Sequence, residues 1–253
     1  MFIDIHCHLE LLKDLTAILE RARKAGVGKI ITAGTDVETN RFSLEQANKE
    51  GKVGCMLGIY PDEDLKMTDE EIDEEIEFIR REKENIVGVG EVGMDFKHTK
   101  DKEGRKRQEK VFRKFISLAM DMEKVVLVHS REAEEECIEI LEDMKAKKVI
   151  MHCFSGDKEL VKRIEKNRWY FSIPTCICYK KSFEEIVKLV PLERLFCETD
   201  SPFMHPGGYK NGKQKKNEPA NVIASYQKIA EIKRIDLENV KKEIERNYKR
   251  LFG

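Results

Sequence analysis

No stretch of this 253-residue sequence approaches the eighteen or so consecutive apolar residues that a membrane-spanning helix requires. The first residues lack a basic segment followed by an apolar one, so a cytoplasmic setting is expected. An excess of one charge is also missing: 47 basic residues against 48 acidic ones give a formal net charge of -1. That balance supplies no global attraction to nucleic acid or to an anionic membrane, and any polyanion site has to be local. The seven cysteines are an odd number and include no Cys-x-x-Cys pair, which predicts reduced thiols rather than a disulfide framework. Cys176 and Cys178 read as ordinary packing residues. Internal repeats and low-complexity linkers are absent, so residues 1–253 read as a single domain with a substantial core.

What the chain does contain is a recurring alternation. Eight apolar runs have strand character: Phe2 to Ile5, Lys29 to Thr32, Val53 to Ile59, Ile86 to Val89, Val125 to Val128, Val149 to Met151, Tyr170 to Ile173 and Leu195 to Cys197. Between them lie segments with helical spacing, such as Leu12, Leu15, Leu19 and Ala22, or Val111, Phe112, Phe115 and Ala119. Thr68 with Glu71 and Ser182 with Glu185 have the spacing of helix-opening capping boxes. The tail after Pro219 predicts two helices, Ala220 to Lys233 and Asp236 to Leu251. Strands buried on both faces and separated by amphipathic helices imply parallel pairing, and eight such units predict a TIM (β/α)8 barrel. An open doubly wound sheet is the alternative.

The polar residues at the strand ends carry the functional reading. His6 and His8 are two apart on a strand and therefore share a side, which lets both imidazoles reach one ion. Glu91, His129, His152 and Asp200 each follow an apolar run and are expected to close its strand. In a barrel, all six fall on the C-terminal face, where active sites are built. Six ligand groups exceed one tetrahedral ion but suit two ions with a shared bridge. The expected division gives His6, His8 and Asp200 to one ion and His129 and His152 to the other, with the Glu91 carboxylate bridging. Two ions roughly 3.5 to 4 Å apart activate water and clamp the oxygens of a phosphodiester, which predicts hydrolysis. Asp200 is the expected general base, and Glu91 is catalytic through its bridge. Asp4 and Glu198 share the inward faces of their strands with His6 and Asp200 and are expected to orient ligands.

At this point the chain resembles the TatD-type metal-dependent deoxyribonucleases of the amidohydrolase superfamily. The matching motifs are His6-Cys7-His8-Leu9, Gly90-Glu91-Val92-Gly93-Met94-Asp95, Val128-His129-Ser130-Arg131-Glu132-Ala133, His152-Cys153-Phe154-Ser155-Gly156, Glu198-Thr199-Asp200-Ser201-Pro202 and Asn217-Glu218-Pro219. The resemblance implies a TIM barrel, a hydrolase with two divalent metal ions such as zinc, manganese or magnesium, DNA or another phosphodiester as substrate, and the same six ligands. One departure stands out: Gly58-Ile59-Tyr60-Pro61-Asp62 replaces the family's Gly-x-His-Pro-His, whose histidines are thought to contact substrate.

Arg131, Ser155, Lys216 and Asn217 are the candidate substrate contacts. Two segments read as locally positive loops suited to phosphate: Lys97 to Arg107, and Ser201 to Glu218 with Lys210, Lys213, Lys215 and Lys216. His98 and His205 on these loops read as surface histidines. The leading expectation is an exonuclease-like deoxyribonuclease. A two-metal amidohydrolase or deacylase acting on an ester such as aminoacyl-RNA is the second reading, and a metal-stabilised binding module the third. Nothing in the sequence calls for an obligate protein partner.

Overall fold

The computed structural model describes residues 1–210 and 213–253. All eight predicted strands form: β1 (Phe2–Cys7), β2 (Val27–Ala33), β3 (Val53–Leu57), β4 (Gly88–Asp95), β5 (Val125–Arg131), β6 (Val149–His152), β7 (Tyr170–Pro174) and β8 (Leu195–Glu198). Helices alternate with them, and the tail carries the two expected helices, Ile223–Lys233 and Leu237–Phe252, after a 3-10 turn at Pro219–Val222. The chain divides into two compact units, one of residues 1–32 and 171–253, the other of residues 33–170.

In the first unit, β1 pairs in parallel with β2 and β7 in parallel with β8. β8 leads onto β1: the Asp200 amide donates to the His6 carbonyl at 3.1 Å, and the His8 amide donates to the Ser201 carbonyl at 2.8 Å. Ile3 and Ile5 of β1 are fully buried and alternate with buried Asp4 and His6, so both faces of the strand are covered. The tail helices close on the strands through polar pins. The Tyr226 hydroxyl accepts from the Ile3 amide and donates to the Ile3 carbonyl, and the Asn247 amide donates to the Leu192 and Leu195 carbonyls.

In the second unit, β3, β4, β5 and β6 pair in order, all parallel. The helix Lys102–Asp121 packs on β4 and β5, burying Val111, Phe112, Phe115 and Ala119 as expected, joined by Ile116 and Leu118. Each large side chain buried there contributes about 1.5 to 3 kcal/mol. The capping box at Thr68 and Glu71 opens the helix Asp69–Arg81, and Asp36 with Thr39 forms a second box.

Two local expectations are corrected. The helix Lys181–Leu189 starts before Ser182 and has Lys180 as its cap, so Ser182 lies inside the first turn and cannot cap it. β4 and β5 also run past Glu91 and His129, which sit within their strands rather than at the ends. The cause in β4 is one extra residue: Val89 pairs with Val126 but Val92 with Val128, which is a bulge spanning Gly90 and Glu91. β1 carries a similar irregularity between Asp4 and Cys7, beside His6. Bulges re-aim side chains, so two of the strands bearing predicted ligands are those with irregular register.

Candidate metal centre

The first unit gathers His6, His8 and Asp200. Their donor atoms all lie within 4.8 Å of one another, and all three side chains are buried. A single oxygen, Asp200 Oδ1, stands 3.4 Å from His6 Nε2 and 3.4 Å from His8 Nε2. That is longer than a good hydrogen bond. It matches the edge of a tetrahedron around an ion with ligands at about 2.0 to 2.1 Å, whose corners are roughly 3.3 to 3.4 Å apart. The imidazole rings stand edge to face with centroids 4.7 Å apart, as two nitrogens aimed at one point require.

Local chain geometry sets this spacing. Asp200 adopts the left-handed conformation at φ 50, which an aspartate tolerates better than most residues, and this turns its carboxylate back toward β1. Asp4 fixes the residue before it: its carboxylate accepts from the Thr199 amide at 2.8 Å and from the Thr199 hydroxyl at 2.6 Å. Burial pushes the Asp4 carboxyl well above its usual range, although the Thr199 bonds oppose that. Glu198 accepts from the Ser172 hydroxyl at 2.6 Å. Asp4 thus orients Asp200 through the backbone, while Glu198 is tied to β7.

The second unit gathers Glu91, His129 and His152 in a different manner. His129 Nδ1 bonds Glu91 Oε1 at 2.7 Å, and His152 Nε2 lies 3.6 Å from that same oxygen. The two rings stack at 28° with centroids 6.2 Å apart. The other His129 nitrogen, Nε2, meets Asp95 Oδ2 at 3.2 Å and the Tyr60 hydroxyl at 3.2 Å. Burial alone would lower the His129 pKa, but the bonds to Asp95 and Glu91 outweigh it and raise it. Gly93 makes the approach of β4 to His129 possible: at φ +148, an added Cβ would stand 1.9 Å from the His129 carbonyl oxygen.

Asp95, which sequence reasoning gave no role, is placed by the structure in contact with His129. Its Oδ1 accepts the Lys97 and His98 amides, and its Oδ2 receives the Tyr60 hydroxyl at 2.9 Å and His98 Nδ1 at 3.2 Å. Burial would raise its pKa, but His129 and these donors hold it well below the usual carboxylate range. His98 Nδ1 also lies 3.0 Å from Asp62 Oδ2. His98 is exposed, as expected of a surface histidine, and is held there by two carboxylates, one of them at a departure from the family motif. The signal available in the sequence was Asp95 itself, the last residue of the Gly90-to-Asp95 motif.

The candidate substrate contacts separate. Arg131 is exposed, and among the described residues its guanidinium has no ion-pair partner, since Glu132 pairs with Lys100 and Glu134 accepts from Ser155. Ser155 is exposed and its hydroxyl is engaged by Glu134, and Lys216 is exposed. Asn217 is buried: its amide donates to Thr175 Oγ1 and the Thr199 carbonyl, so it anchors the loop from within. The expected positive loop from Lys97 to Arg107 is also corrected. From Lys102 onward it is helix, and three of its six cations are paired: Arg107 with Asp69, Lys106 with Glu103 and Lys100 with Glu132. In the other basic segment, the side chains of Lys210 and Lys213 lie outside the described residues.

Imidazole and carboxylate donors at these spacings fit divalent transition ions better than an ion that demands an all-oxygen shell. The comparisons with known proteins agree with that chemistry. The family model described as TatD related DNase matches residues 3–253. An uncharacterised metal-dependent hydrolase of Methanocaldococcus jannaschii is 35% identical over 254 residues, covering 99% of this chain and 96% of that protein. Human deoxyribonuclease TATDN3 is 31% identical over 262 residues, covering 99% of this chain and 94% of that protein. The crystal structure of the TatD homologue YjjV from Escherichia coli K12 superposes with a TM-score of 0.89 at 25% identity, covering 99% and 97% of the two chains. Eight parallel strands with helices between them, this superposition and a family match across nearly all the chain establish that it belongs to the TatD related DNase family, as a metal-dependent hydrolase with a (β/α)8 barrel fold.

Proposed function

We propose that the chain is a deoxyribonuclease that hydrolyses DNA phosphodiester bonds from an end, using two divalent ions. His6, His8 and Asp200 would hold one ion and His129 and His152 the other, with the Glu91 carboxylate shared between them. The observation that carries the reading is the Asp200 oxygen at 3.4 Å from both His6 and His8. When bound, the ion pair supplies Lewis acidity that brings water toward hydroxide near neutral pH and offsets phosphate charge.

The chain's own residues do the rest. Asp200 accepts the proton of the attacking water. Asp95 and Tyr60 fix the orientation of the His129 ring, as outer partners of a metal-binding imidazole do. Arg131, free of ion pairs among the described residues, offers a planar fork to phosphate oxygens, and exposed Lys216 adds positive charge. DNA is preferred as substrate because human TATDN3, a relative over nearly the whole chain, is named a deoxyribonuclease. A cytoplasmic setting accords with seven cysteines that form no disulfide among the described residues, and with the absence there of any helix long and apolar enough to cross a membrane.

A second reading keeps the ions and directs them at an ester or amide carbonyl. It is left open by Tyr60 and Asp62, which stand where the family motif has histidines thought to contact substrate. One assay separates the two readings: labelled DNA, RNA, a phosphodiester dye substrate and an acyl ester are tested side by side, with Asp200→Asn as control. Metal-dependent DNA cleavage that is lost on chelation and in Asp200→Asn is the expected result. Cleavage of the acyl ester alone overturns the first reading.

A further inference from the structure

The chain has 12 phenylalanines, 6 tyrosines and 1 tryptophan. Among the described residues, the exposed ones are Tyr179, Phe203 and Tyr209, at 41%, 45% and 65% exposure. All three lie in the two segments that follow β7 and β8, on the first unit. Chance scatter of surface aromatics would not concentrate them beside one group of ligands. The Phe203 ring centroid is 6.3 Å from that of His8, and Tyr179 packs on the loop at Gly208, where an added Cβ would lie 3.6 Å from its ring.

These rings are presented by a fixed scaffold. The Phe203 amide donates to the Asp200 carbonyl at 2.8 Å, the Thr175 hydroxyl donates to the Met204 carbonyl at 2.6 Å, and the buried Asn217 amide ties Thr175 to Thr199. A ring held this way loses little entropy when something stacks on it. The surrounding charge is positive. Lys180, Lys181, Lys215 and Lys216 are exposed, while Glu218 is taken up by Arg21 through two short bonds. Isolated aromatic faces interspersed with lysines suit a ligand with flat apolar rings on an anionic backbone. A protein partner would instead favour a continuous apolar patch.

We propose that Phe203, with Tyr179 and Tyr209, forms a stacking platform for unpaired bases of a single-stranded nucleic acid, placing the adjoining phosphate beside the His6, His8 and Asp200 group. This rests on the phosphodiesterase reading and deepens it: the substrate is a single-stranded or frayed end, because paired bases bury the faces that the platform needs.

The test measures binding of two probes by fluorescence anisotropy: a phosphorothioate oligothymidylate that resists cleavage, and an abasic oligomer of equal length and charge. The wild-type protein should bind the thymidylate roughly 5- to 100-fold more tightly than the abasic probe. Phe203→Ala should remove most of that difference and leave abasic binding unchanged. Phe203→Trp should restore it, with its exposed indole quenched by the thymidylate. Thermal melting checks that each variant folds. Equal binding of the two probes by the wild type, or undiminished thymidylate preference in Phe203→Ala, overturns the platform while sparing the nuclease reading. Failure of the wild type to bind either probe, with acyl-ester hydrolysis intact, overturns both.

Discussion

The two ligand groups contain the same kinds of side chain and solve opposite problems. In the first unit, backbone hydrogen bonds from Asp200 to His6 and from His8 to Ser201 set the donors, and the donor atoms face one another at 3.4 Å. That is the arrangement a preformed chelate would need. In the second unit, the donors are already hydrogen-bonded, with Glu91 at 2.7 Å and Asp95 at 3.2 Å on the two nitrogens of His129. On the two-ion reading, an ion entering there competes with the protonated form of His129, which both carboxylates favour. The difference teaches that ligand identity alone does not set affinity: the first group should retain its ion, and the second should exchange it.

The largest effect expected from this contrast is that of His8→Ala. With one of three preformed donors gone, the purified protein should lose its retained ion and its metal-dependent hydrolysis, by more than the roughly 10- to 100-fold typical of an outer partner. Elemental analysis with an activity assay reads both, and a variant that keeps a full complement of metal breaks the comparison. Asp95→Asn comes next. It removes the first of the charged partners that raise the His129 pKa and should cost roughly 10- to 100-fold in activity or metal affinity. Because the proton on His129 is then less favoured, metal uptake by this group should become less sensitive to pH between 6 and 8, a range spanning about a unit either side of neutral. Unchanged activity and pH dependence would show that Asp95 only folds its loop.

The smallest effect concerns a carboxylate outside both groups. Asp64 is buried, its Oδ1 has no hydrogen-bond partner among the described residues, and burial pushes its pKa to about 8 despite the opposing charge of Arg107. The folded chain therefore keeps a proton that the unfolded chain, with a carboxyl near 3.8, releases. Stability linked to Asp64 is fully present at acid pH and declines as pH rises from the unfolded toward the folded value. Asp64→Asn should abolish that decline, so its melting temperature relative to the wild type should rise by a few degrees between pH 5 and pH 8. A constant difference across that range would show that Asp64 does not titrate within it.

By itself, the sequence determined the eight strands, most of the helices and the residue types at the candidate centre. Apolar runs and helical spacing report which faces are buried, and burial on alternating elements admits few folds. His6 and His8 were legible because a period of two puts them on one side of any strand. Only tertiary structure decided how the donors meet. The extra residue in β4 that re-aims Glu91 depends on the register with β5, which no run of β4 residues records. The link from His98 and Asp62 through Asp95 and Tyr60 to His129 joins residues from three strand-to-helix segments. Lys102 to Arg107 reads as a charged loop until it forms helix with Asp69 beside Arg107. Periodicity fixes which residues face inward or outward, whereas hydrogen bonds and ion pairs depend on distances of a few ångströms between segments remote in the chain, and folding alone sets those.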